Sequence, residues 1–300
     1  MKLQNKIPSI FIAIFLLFPF LLPAQYVAGK QDPSVVVSTV IEIPLAAKVK
    51  PETGDDWDPS LKNTTKVHVP GIDVQKDEFL KLKAEANRMK EEAMATGNSS
   101  APPSNKTATG NPPIIGNQFF GNSYNGGIPN DNDIAVSKAG TVVSVTNTRI
   151  YMYNSAGLQL KWISLSNFSA GVPGVNGSTK FDPKITYDPD NDRFIIVYLS
   201  GSSPSSSQVV VCFSDSNDPT STWNIYAFSG NVGGGVWSDF PCIGISKTEL
   251  FITTNLFTSQ GAATGSAVWQ METLDGFGGI SLTSKTYQTN YFSLHPVQGG

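Results

Sequence analysis

The feature that most constrains this chain is a phrase that occurs three times: an aspartate, a short strand of small and apolar residues, a polar turn, and a stronger strand. Asp133 opens the first copy, which runs to Asn147; Asp182 opens the second, to Tyr198; Asp239 opens the third, to Asn255. The starts lie 49 and 57 residues apart. Two further β-rich runs follow each copy: Arg149 to Tyr153 and Leu158 to Ser164, Gln208 to Phe213 and Trp223 to Phe228, then Ala267 to Met271 and Ile280 to Tyr287. Four strands per roughly 40–50 residues is the period of a β-propeller blade. A two-sheet sandwich gives no reason for the phrase to return at every fourth strand.

The predicted class is therefore all-β, a partial β-propeller of about three four-stranded blades over residues 114–300, preceded by a spacer with a short helix. Residue choice agrees with this. Ala135, Ser137 and Gly244 suit a crowded innermost strand, whereas Phe194 to Tyr198 reads as a strand buried on both faces. Trp162, Trp223 and Trp269 fall on outer strands, where large rings fill a widening gap. Closed propellers need about four blades, and Leu294 to Gly300 falls where a fourth inner strand would begin, so the expectation is the front of a longer protein.

The N-terminus carries Lys2 and Lys6, an apolar stretch from Ile10 to Leu22, and Leu22-Pro23-Ala24 before Gln25. That pattern is an export signal over residues 1–24. Pro19 and Pro23 oppose a spanning helix, and no later run approaches about 20 apolar residues. The expected location is secreted or extracellular, with attachment to the cell surface as a variant, and with no transmembrane segment after cleavage.

Residues 25–113 form the predicted spacer. Val35 to Ile43 is rich in β-branched residues and reads as one strand with no partner nearby. Asp77 to Ala95 places Phe79, Leu82, Ala86, Met89 and Ala93 on one helical face; it is read either as a pro-segment or docking helix, or as a solvated helix at the domain edge. Residues 96–113 are rich in Ser, Thr, Asn, Gly and Pro and read as a flexible linker. Residues 25–110 hold 11 Lys/Arg and 12 Asp/Glu, against 8 and 12 in the 190 residues that follow. Neither part has a basic cluster, which argues against nucleic acid as a partner.

The phrases Pro129 to Ser137, Phe181 to Phe194, Ser216 to Trp223 and Trp237 to Ile245 resemble a family of large secreted bacterial proteins of unassigned activity. The resemblance covers roughly residues 115–300. It implies the order signal peptide, propeller and, later in such chains, a C-terminal sorting domain for type IX secretion, and it carries no catalytic residues to transfer.

Candidate sites follow from the residues themselves. Asp133, Asp182 and Asp239, if equivalent, would gather at one mouth of a central channel, either as a ligand or cation site or as caps tying each inner strand to the next. Asp188, Asp190 and Asp192 alternate as in a calcium loop, but Arg193 and Leu199 stand where that loop needs Gly and Glu, and a tight turn uses the same residue types. Trp237, after Gly233 to Gly235, is read either as a sugar-stacking ring or as packing. Cys212 and Cys242 are read as a bridge or as two buried thiols.

Asp218, Thr222 and Trp223 fit the Asp-box hairpin of sialidase-like propellers, without its usual glycine. Such an enzyme also needs several arginines, a Glu and a Tyr, yet only Arg149, Arg193, Glu249 and Glu272 supply Arg or Glu beyond residue 111. The two histidines, His68 and His295, give no serine triad on a defensible scaffold. The histidine scarcity and the unclustered cysteines give no recognisable zinc motif. The reading is a non-enzymatic extracellular binding or adhesion protein for a glycan or protein ligand. The alternative is a carbohydrate-active enzyme whose catalytic residues lie beyond residue 300.

Overall fold

A computed structural model describes residues 36–52, eight residues between 81 and 92, and residues 118–122, 129–175 and 178–297. The predicted signal segment and the 96–113 linker lie outside the described residues. The architecture is all-β and antiparallel, in three sheets.

Each predicted unit is one sheet with its strands in chain order. The first contains β3 (Asp133–Val136), β4 (Val142–Val145), β5 (Arg149–Tyr153) and β6 (Gln159–Ser164); the second contains β7 (Lys180–Asp188), β8 (Arg193–Ser200), β9 (Gln208–Ser214) and β10 (Trp223–Ser229). The third contains β11 (Val236–Ile245), β12 (Glu249–Thr258), β13 (Ala263–Glu272) and β14 (Leu282–Thr289). The first strands of the sheets are neighbours: β7 lies beside both β3 and β11. The three sheets do not close into a ring.

The second sheet is the centre of the molecule, because both of its faces are covered. On β8, Ile195, Val197 and Leu199 join the core shared with the third sheet, while Phe194, Ile196 and Tyr198 join the core shared with the first. This is the physical reason for the unbroken apolar run: period-two alternation disappears when both faces are dry. Trp223 and Trp269 are fully buried, as their outer-strand positions suggest, while Trp162 is half-buried.

Among the described residues no sheet covers the other face of the first sheet. Ile134, at 61 % exposure, holds the place in its strand that Ile185 and Ile243 hold in theirs, and those are covered to 5 % and 6 %. Residues 118–122 lie against part of that face. Phe119 packs on the Tyr153 ring at 5.5 Å, and Asn122 Nδ2 donates to Ser144 Oγ at 2.7 Å.

The spacer departs from its reading as a lone strand. β1 (Val36–Ile43) pairs with β14 from Val36↔Gln288 to Ile43↔Leu282, adding a fifth strand to the third sheet. β2 (Ala47–Val49) then pairs with β10 and does the same for the second sheet. Lys161 Nζ on β6 donates to the Pro51 carbonyl at 2.7 Å, so the same short stretch reaches the first sheet too. Residues 36–52 thus run as a belt past the outer strands of all three sheets. β1 and β2 thereby pair the free edges of β14 and β10 and become the edge strands of their sheets.

Between residues 81 and 92 the described residues are helical and exposed, Met89 included at 59 %. Arg88 bridges Glu85 and Glu92 along this helix, as i,i+3 and i,i+4 partners do on a solvated face. Among the described residues no helix is long and apolar enough to cross a membrane.

Candidate functional site at the inner strand ends

The entry to each first strand is built alike. β7 and β11 carry one extra residue, with register shifts between Phe181 and Lys184 and between Asp239 and Cys242. In the first sheet the Asn147 N–H bonds to the Asn130 carbonyl, and the regular pairs begin at Asp133↔Val145, the same count. The residue that absorbs the bulge takes a left-handed conformation: Asp131 at φ 42°, Asp182 at 51° and Phe240 at 52°.

This register corrects the expected equivalence of the three aspartates. Asp182 corresponds to Asp131 and Phe240, Asp133 to Lys184 and Cys242, and Asp239 to Asn130 and Phe181. Setting Asp opposite Asp is out of register by up to three residues, because the bulge adds a residue that no single-sequence pattern marks.

The three carboxylates accordingly do different things. Asp133 ties sheets together: its Oδ1 accepts from the Ile134 N–H at 2.9 Å, and its Oδ2 reaches the neighbouring sheet to accept from the Ile185 N–H at 3.0 Å. Asp182 and Asp239 instead meet Asp131. Asn147 organises this group, with its Nδ2 donating to Asp131 Oδ2 at 2.6 Å while its Oδ1 accepts from the Asp182 N–H at 2.6 Å.

Burial, then the negative charges of Asp239 and Asp131, push the Asp182 carboxyl up to about 8. Asp239 is also raised, chiefly by burial, but the Phe240 N–H and a hydrogen bond from Asp182 hold it down. The physical picture is a proton retained on Asp182, which faces the Asp239 and Asp131 carboxyl groups, since buried carboxylates in contact do not all ionise readily. Asp131 and Asn147 were not singled out from sequence; the signal available was the dense Asn130-Asp-Asn-Asp133 run.

The other candidates are placed as follows. Asp188 is buried and closes its own turn, its Oδ1 accepting from the N–H groups of Asp190 and Asn191 at 2.9 and 3.0 Å. Asp192 accepts from the Tyr187 hydroxyl and from Asn217 Nδ2, and Asp190 is exposed. Among the described residues no three His, Cys, Asp or Glu side chains are grouped to hold a metal ion. Trp237 is 7 % exposed, packs on Phe257 and donates its indole N–H to the Thr258 carbonyl at 3.1 Å, so its ring is committed to packing. Gly233 to Gly235 are all at positive φ, and Gly233 and Gly234 border an open groove of about 460 Å³ with Thr264 and Gln288. Cys212 and Cys242 are both free thiols.

Beyond β14 a left-handed residue with the same tie to an Asn side chain occurs once more. Ser293 is left-handed at φ 58° and donates its N–H to Asn255 Oδ1 at 2.7 Å, as Asp182 does to Asn147. His295 then stands two residues after the left-handed one, as Asp133, Lys184 and Cys242 do. One geometric position in four successive segments is thus held by Asp, Lys, Cys and His. No protein-family model matches the chain, and no curated protein matches it.

Proposed function

We propose that the three sheets are consecutive blades of a β-propeller and that the chain is an exported binding protein, of the secreted bacterial kind it resembles, which takes a polar glycan or protein ligand at the channel end of its inner strands. The observation that carries this reading is the variation at the position two residues past the left-handed one. The backbone there is set by that left-handed residue in all four segments, and in two of them its N–H is also held by an Asn side chain, which is the demand of the fold. The side chains Asp133, Lys184, Cys242 and His295 differ completely in charge and donor capacity. A scaffold that repeats while its chemistry changes at one level is what a site for an asymmetric ligand requires.

Adjacency of the inner strands and the tie from Asp133 to the next sheet support the radial arrangement. The test is a glycan array together with a pull-down from the surface of producing cells, using the whole exported chain and its Lys184→Ala variant. Retention that weakens at least tenfold in the variant, with no product released, is the expected result. Retention unchanged by the substitution, or turnover of a bound glycan, would reject it.

A further inference from the structure

Cys242 and His295 are separated by 53 residues, yet Cys242 Sγ lies 3.9 Å from His295 Nε2. Three local features produce this meeting. Ser293, held by Asn255 Oδ1, sets the direction of the segment. Thr253, the cross-strand partner of Cys242, donates its hydroxyl to the Leu294 carbonyl at 2.7 Å. Gly244 then leaves room for the chain to close in, since a Cβ there would come within 2.7 Å of the Pro296 Cβ. The Phe240 ring stands edge-on to the imidazole at 5.8 Å. Cys242 is buried to 8 % exposure, while His295 is exposed and free to adjust.

We propose that Cys242 and His295 form a two-point site for a thiophilic divalent cation, with Zn²⁺ as the probe. Zinc binds thiolate at about 2.3 Å and imidazole nitrogen at about 2.0–2.1 Å. Those bonds hold sulfur and nitrogen about 3.5 Å apart at a tetrahedral angle and about 3.9 Å apart at a somewhat wider one, so one ion spans the pair with at most a small turn of the imidazole. On binding, the thiol loses its proton to solvent as the sulfur–metal bond forms, the neutral imidazole gives its lone pair, and water fills the other positions.

The charges around the sulfur are mixed. Asp182 raises the thiol and Lys184 lowers it, with burial the largest influence upward, and Asp239 and Asp131 add negative charge beside Asp182. The pairing rests on geometry alone and does not depend on the ligand-binding reading above.

The experiment titrates Zn²⁺ into the untagged whole chain by calorimetry, with Ca²⁺ as control, and repeats it on Cys242→Ser and His295→Gln. In parallel, iodoacetamide labelling of each cysteine is followed by mass spectrometry with and without Zn²⁺. One equivalent of Zn²⁺ is expected to bind, at least tenfold more weakly in either variant, and to slow alkylation of Cys242 at least tenfold. Absence of saturable binding by the native chain, full affinity in His295→Gln, or undiminished labelling of Cys242 overturns the proposal. If Cys242→Ser fails to fold, His295→Gln decides, since it alters only an exposed side chain.

Discussion

Replacing Asp182 by Asn tests the retained-proton account of the inner carboxylates. In the unfolded chain an aspartate ionises near pH 3.9, while in the folded protein Asp182 ionises at about 8. Folding therefore takes up a proton between those values. The contribution is intact below about pH 4, is lost progressively as the pH climbs, and is gone above about pH 8. At one unit per 1.36 kcal/mol, the cost borne at pH 7 has a ceiling of about 4 kcal/mol.

Asparagine keeps the hydrogen-bond donor toward Asp239 and tolerates the left-handed backbone at φ 51°, but it has no charge to desolvate. Asp182→Asn is therefore expected to match the native protein near pH 4 and to exceed it by roughly 1–4 kcal/mol at pH 8. Guanidinium unfolding followed by tryptophan fluorescence, at unit steps from pH 4 to 9, reads the difference as a diverging midpoint at constant slope. Parallel profiles for the two proteins, or a variant weaker than the native chain at pH 8, would refute the reasoning.

Three further outcomes are expected. Ile43, 2 % exposed on β1 and part of the core between the second and third sheets, should cost about 2–4 kcal/mol as Ile43→Ala; a loss below 0.5 kcal/mol in the same unfolding assay would mean that the belt is not part of the cooperative structure. Asn147→Ala removes the acceptor for the Asp182 N–H and the donor to Asp131, and about 1–3 kcal/mol of stability should go with them, read by thermal unfolding at pH 7. Trp237→Ala should lower stability by about 3–5 kcal/mol and leave array retention of any glycan unchanged; lost retention at full stability would return the ring to the ligand.

The strand order of each sheet was legible because it rests on local signals. Period-two or doubly buried runs between turn residues mark a strand wherever they occur, and the two within each Asp-led phrase with the two after it give one sheet. The unbroken run Phe194 to Tyr198 even announced that both of its faces are covered. The partner of Val36 to Ile43 was not legible, since an edge offers only backbone groups to its neighbour and leaves no side-chain code for a strand about 240 residues away. The aspartate equivalence failed for a related reason: a bulge adds one residue to one strand without altering its composition.

The sequence alone determined that this chain makes antiparallel quartets, because hydrophobic spacing and turn chemistry act over a few residues. Only the tertiary structure decided which carboxyl retains a proton, that residues 36–52 run past all three sheets, and that Cys242 faces His295. Those outcomes depend on register and on distances across the fold, which packing sets and composition does not record.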